Sequence, residues 1–126
     1  GAPAPLQEAV AEALLWEDAY FDQLRVDYVA RRKLMMEGLH AAGFACEIPD
    51  GAYYAMVDIR RYQQRDEDDV AFAMRLVKDA GVATVPGSSF YANPEDGRHY
   101  VRFCYSKRLE TLMEANRRLK EWSAKQ

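Results

Sequence analysis

Cysteine is scarce: Cys46 and Cys104 are the only two in 126 residues, and they stand far apart. Such a pair suggests a reduced, cytoplasmic setting rather than a disulfide scaffold. Histidine is as rare. His40 and His99 have no cysteine or acidic partner at ligand spacing, so no metal site is expected. No apolar run approaches the roughly 20 residues that cross a bilayer, and no secretory-type segment opens the chain, so no membrane partner is expected. No glycine-rich segment leads into a helix in the dinucleotide or P-loop pattern. Positive charge is not in excess either: the net charge is −3, which argues against a nucleic-acid partner. Repeats, linker-like stretches and low-complexity tracts are also missing. What remains is a chain that is 49% hydrophobic, with eight tyrosines, five phenylalanines and two tryptophans, enough for one packed domain.

The first third reads as helix. Between Pro5 and Ala42 there is no further proline and no glycine before Gly38. Leu14, Phe21, Tyr28 and Met35 recur every seven residues, with Leu24 and Leu39 widening the stripe. Pro5 suits a first helical turn, and Gly43 the position just past a helix end. The phase wavers at Trp16, Glu17 and Asp18, which predicts a break and two helices. A continuous helix of about 38 residues would span about 57 Å, against about 35 Å for a compact domain of this length. The first helix, with Leu6, Val10, Leu14 and Leu15, therefore needs a covering surface. Either it folds back on this core or part of its partner surface lies outside the chain.

The rest alternates. Phe44–Glu47 is a short apolar segment, Asp50-Gly51 a turn, and Ala52–Ile59 a strand with Tyr53, Ala55, Val57 and Ile59 on one face. Asp66 to Asp69 read as a helix start rather than a metal site, ahead of a stripe at Val70, Ala73, Met74 and Val77. Gly81 ends that helix. Val82–Val85 is a short strand, Pro86–Ser89 a loop and Tyr100–Tyr105 a strand. Ser106 is the expected cap of a last helix striped by Leu109, Leu112, Met113 and Leu119. The expected fold is α+β, a small mostly antiparallel sheet packed against helices, preceded by a long or bent N-terminal helix.

Among residues able to carry chemistry, Cys46 and Cys104 fall in predicted strands, where cysteine behaves as a small hydrophobe. Ser106-Lys107 reads as solvated charge beside a cap. Arg102 differs. Alternation in Tyr100–Tyr105 puts it on a face with Tyr100 and Cys104, opposite Val101, Phe103 and Tyr105. A guanidinium in the middle of an aromatic strand is costly to bury unpaired, and its fork of donors fits a carboxylate bidentately. The residues alone leave two readings open: a structural ion pair or edge-strand arginine, or an anion-binding one. The loops Pro49–Tyr54 and Pro86–Tyr91 share glycine, small residues and aromatics beside a strand. They suit either close backbone approach to a ligand or ordinary turns.

These segments, with Tyr28–Leu34 and Ala42-Gly43-Phe44, resemble the C-terminal third of class I/II aminotransferases, fold-type I enzymes dependent on pyridoxal 5'-phosphate. The similarity runs nearly end to end. Ala2–Gln7 resembles the lead into the small domain, and Gly51-Ala52-Tyr53-Tyr54 the Gly-Ala-Tyr-Tyr or Gly-Gly-Phe-Phe loop. Gly81–Tyr91 resembles the Gly-Val-x-x-x-Pro-Gly-x-x-Phe stretch, and Val101-Arg102-Phe103 the strand bearing the substrate arginine.

The resemblance implies that Arg102 binds the α-carboxylate of an amino-acid or 2-oxo-acid substrate. It implies that Gly51, Ala52 and Tyr53 border the substrate entrance, and that Gly87–Phe90 is a structural turn. It implies also that residues 1–126 are one domain of a larger enzyme, with 1–17 a linker helix towards a large domain and 18–126 the small domain. The Schiff-base lysine, the pyridinium aspartate and the phosphate ligands belong to that large domain. No catalytic or cofactor-binding residue is then expected in this chain, which would be inactive alone, and the full-length enzyme would be a homodimer. The rival expectation is a free-standing, non-catalytic α+β module that binds a protein partner or a small carboxylic acid.

Overall fold

The computed structural model describes residues 3–126. Gly1 and Ala2 lie outside the described residues, and with them the start of the Ala2–Gln7 segment. Helix α1 (Ala4–Ala13) carries Pro5 in its first turn, where a missing N–H leaves no bond unmade. Helix α2 (Asp18–Ala41) follows after a break, and Gly43 just beyond it takes a left-handed φ of 80°. Strand β1 (Tyr54–Asp58), helix α3 (Asp69–Ala80), strand β2 (Val85–Pro86), strand β3 (Tyr100–Cys104) and helix α4 (Leu109–Ser123) complete the order. Two 3-10 turns, Gly87–Phe90 and Pro94–Gly97, lie between β2 and β3.

The architecture is α+β, as expected, with a three-stranded sheet in the order β1-β3-β2 and both pairings antiparallel. Ala55, Val57, Val101 and Phe103 send one face into a core filled by Met35 and Leu39 from α2, Phe72 and Leu76 from α3, and Leu112, Leu119 and Trp122 from α4. Phe44 and Trp122 stack near-parallel there, with centroids 6.1 Å apart. Helices α2 and α4 approach at Gly38, where a Cβ would fall 2.0 Å from the Asn116 side chain. That amide donates to the Leu34 carbonyl at 2.8 Å.

Several boundaries differ from the sequence expectation. In α3 the buried face is Asp69, Phe72, Ala73 and Leu76, whereas Val70, Met74 and Val77 are exposed. Both stripes have helical spacing; the one containing Phe72 removes more apolar area from water. Residues 82–84 form no ladder. Pro86 has no N–H to extend the pairing, so β2 meets β3 only at Val85–Arg102 and Pro86–Val101. Ser106 caps nothing: its hydroxyl shares a 2.9 Å hydrogen bond with the Tyr28 hydroxyl, and α4 starts after Arg108. Leu109 and Met113 are exposed on α4. Cys46 lies beside the single bridge Ala45–Asp58 rather than in a strand.

Helix α1 buries none of its residues, so it does not fold back on this core. Leu6, Val10, Leu14 and Leu15 are exposed, as are Phe21 and Leu24 in the first half of α2. No helix among the described residues is long and apolar enough to cross a membrane.

Candidate functional site

The sheet face opposite the core carries Tyr54, Met56, Tyr100, Arg102 and Cys104, all half-buried. Register places Arg102 directly across from Met56, with Tyr54 on the diagonal of the same face. The guanidinium carbon sits 5.0 Å from the centre of the Tyr54 ring and 4.5 Å from that of Phe90. Its Nε is buried and has no hydrogen-bond partner. Arg60, Arg75, Arg117 and Arg118 are each paired with a carboxylate; among the described residues no ion pair includes Arg102. The structure therefore lacks the salt bridge that was one of the two readings of this residue. Two aromatic rings lie against the cation, and neither takes up an N–H. Arg102 also borders a groove of about 700 Å³ between residues 82–85 and α4. Thr84, Cys104 and Thr111 line it too, and the Thr84 Oγ1 is likewise buried and unpartnered.

The Gly51, Ala52 and Tyr53 loop reaches Arg102 through Tyr54, whose ring meets Tyr53 edge-on at 5.3 Å. Composition points to Gly51 as the flexible position. Ala52 is instead the residue in the left-handed region, with φ 62°, a strain of about 1 kcal/mol for a residue with a Cβ. Hydrogen bonds hold it there. The Tyr105 hydroxyl donates to the Ala52 carbonyl at 2.9 Å, the Tyr105 N–H to the Tyr53 carbonyl at 2.8 Å, and Arg32 to the Pro49 carbonyl at 2.6 Å. Burial pushes the Tyr105 hydroxyl above its ordinary pKa, which keeps it a donor. Tyr53 itself precedes β1 and is exposed, instead of joining Ala55 and Val57 in the core.

Two residues at this site escape the sequence reading. The resemblance places Phe90 in a merely structural turn, and spacing places Asp69 in a helix start. Asp68 in fact caps α3, accepting from the Ala71 N–H at 2.7 Å. Asp69 is buried and accepts from the Ser88 N–H at 2.7 Å, which ties the first turn of α3 to the Gly87–Phe90 turn. Nothing in the local spacing separates two adjacent aspartates with such different partners. Cys46 is half-buried, and desolvation raises its thiol pKa, which disfavours a nucleophilic role.

Against known families, residues 2–119 match the family described as aminotransferase class I and II. The chain belongs to that family. It is 39% identical to a probable N-succinyldiaminopimelate aminotransferase of Mycobacterium tuberculosis, covering 92% of this chain and 31% of that protein. With kynurenine–oxoglutarate transaminase 1 of Mus musculus it shares 31% identity over 95% of this chain and 32% of that protein. Among solved structures, N-succinyldiaminopimelate aminotransferase from M. tuberculosis superposes with a TM-score of 0.81 at 39% identity, over 96% of this chain and 31% of that one. An aspartate aminotransferase variant from Thermus thermophilus gives 0.71 at 33% identity, over 83% and 26%. The chain thus spans about three-tenths of the length of these curated relatives.

Pyridoxal phosphate serves this family in general. All five lysines of this chain are exposed.

Proposed function

We propose that this chain is the small domain of an aminotransferase that exchanges an amino group between an amino acid and a 2-oxo acid, and that Arg102 holds the substrate's α-carboxylate. The observation that carries this reading is a half-buried guanidinium flanked by two rings, with no acid of the described chain paired to it. A planar carboxylate meets such a fork through two parallel N–H donors, which fixes the orientation of the α-carbon beside it. Gly51, Ala52 and Tyr53 shape the entrance, held by Tyr105 and Arg32. When bound, the cofactor would supply an electron sink for the charge developing at the α-carbon, and the proton would be moved by groups outside residues 1–126, in a large domain towards which 1–17 leads. The chain alone is then inactive, and the full-length protein works as a cytoplasmic homodimer.

The test is Arg102→Ala in the full-length protein. A buried charge-assisted pair to substrate predicts a loss of roughly 2–4 kcal/mol in kcat/KM, about 30- to 1000-fold. A change within about twofold would remove the carboxylate role. A second check uses the purified 126-residue chain mixed with pyridoxal phosphate. No absorbance change abolished by a single lysine substitution is expected; finding one would mean the catalytic lysine lies in this chain.

A further inference from the structure

We propose that Phe90 is a positioning residue for Arg102, its ring restraining the guanidinium together with Tyr54 without using any of the donors that substrate needs. This rests on the carboxylate reading above and assigns a determinant of substrate affinity to the turn after β2.

Three observations converge on Phe90. The residue is 45% exposed and lies outside the hydrophobic core, so core packing does not account for it. Its ring centre is nearer the guanidinium carbon than that of Tyr54, 4.5 Å against 5.0 Å. The turn that carries it is pinned. A Cβ on Gly87 would fall 2.5 Å from the carbonyl oxygens of both Gly97 and Tyr100, so the two turns are seated backbone to backbone. One residue further on, the Ser88 N–H is held by the buried Asp69 carboxylate at 2.7 Å. Phe90 thus projects from a braced support onto a side chain that has no acid to hold it in place.

The physical need is specific. An arginine side chain has several rotatable bonds, and an ion pair would normally restrain it; here that restraint would occupy the donors the substrate uses. Aromatic faces restrain a guanidinium without consuming any N–H, because the attraction is to the ring quadrupole. Tyr54, from the neighbouring strand, supplies one such ring at 5.0 Å and Phe90 the nearer one at 4.5 Å. Without Phe90 the nearer restraint is lost, and the fork is freer to swing away from the groove.

The experiment is a double-mutant cycle in the full-length protein, with KM for an α-amino-acid substrate and kcat as separate readouts. Phe90→Leu is expected to raise KM about 3- to 10-fold with kcat within about twofold, and Phe90→Tyr to stay within about twofold of the parent. In an Arg102→Lys background, Phe90→Leu should change KM less than about twofold, since the planar group it stacks on is gone. Singly to multiply fluorinated phenylalanines at position 90 keep the shape and weaken the quadrupole, so KM should rise with each fluorine. The proposal is overturned if Phe90→Leu leaves KM unchanged, if its effect is as large in the Arg102→Lys background, or if fluorination has no graded effect. If Arg102→Lys itself leaves KM unchanged, the carboxylate reading fails and takes this inference with it. If Arg102→Lys raises KM and Phe90→Leu does not, the clamp alone fails.

Discussion

Arg75 and Arg102 are both guanidiniums laid against aromatic rings, and they differ in that only Arg75 is paired with an acid, which fits a structural role for Arg75 and the proposed binding role for Arg102. Arg75 lies over Phe72 and Trp122 at 5.1 and 5.7 Å, but it also donates to Glu67 at 2.7 and 2.9 Å and to the Tyr62 carbonyl at 2.7 Å. Every direction in which it is desolvated is matched by an acceptor. Replacing it by methionine would strand a largely buried carboxylate, so Arg75→Met is expected to cost about 2–3 kcal/mol in chemical denaturation. Arg102→Met, with no acid left behind, should stay within about 1 kcal/mol of the parent. The pH dependence of the first variant follows from Glu67, whose carboxyl the Arg75 hydrogen bonds hold below the usual range. A depressed carboxylate pKa stabilises the fold fully above the unfolded value of about 4.3, and the gain is lost as pH falls through the folded value. The gap between parent and Arg75→Met should therefore be flat from about pH 7 to about 5 and shrink below about pH 4. A gap that widened in acid would contradict this account. In the sequence the two arginines are indistinguishable in kind; only the strand alternation around Arg102 assigns it a face, and only the fold shows which of the two has an acid opposite.

At the scale of elements, the start of α3 does two jobs with adjacent residues. Asp68 satisfies an N–H of its own helix, and Asp69 satisfies one of a turn 19 residues away. Losing the cap in Asp68→Ala should cost about 1 kcal/mol, the ordinary value for an N-cap, and leave the Arg102 site untouched. Asp69→Ala should cost more, about 2 kcal/mol, because the half-buried Ser88 N–H loses its partner. If the clamp reading holds, it should also raise KM in the full-length enzyme where Asp68→Ala does not. Denaturation curves and KM for the two variants side by side check the pair; equal effects on both readouts would dissolve the distinction. This element also marks how far periodicity reads. The spacing identifies α3 and its acidic start, yet two stripes one residue apart both satisfy a helical period. Which faces inward is decided by Phe72 and Leu76 meeting a core built from distant segments. The strand expected at Val82–Val85 has β-forming residues, but pairing needs a partner as well as a propensity, and only Val85 and Pro86 find one.

At the scale of the whole molecule, the seven-residue stripe from Leu14 to Met35 is legible in the sequence, but a stripe reports an apolar face and not what covers it. Here the face divides. Met35 and Leu39 enter the core, Tyr28 packs at its edge, and Leu14, Phe21 and Leu24 stand exposed with all of α1. So much clustered apolar surface on a helix pair is unlike the scattered exposure of a finished monomer. The chain spans only about three-tenths of the length of its relatives, and the proposed large domain would provide a covering surface. The consequence is measurable on the 126-residue chain. Leu6→Gln, Val10→Gln and Leu14→Gln together remove no buried contact, so the melting temperature should stay within about 2 °C of the parent. Over the same change, any self-association of the parent seen by sedimentation should weaken, because an exposed apolar patch has become polar. In the full-length protein the proposed large-domain contact predicts that the same triple substitution lowers stability by several kcal/mol. A fall of more than about 5 °C in the isolated chain would show that α1 packs on this core after all, and an unchanged full-length protein would show that nothing in the enzyme covers it.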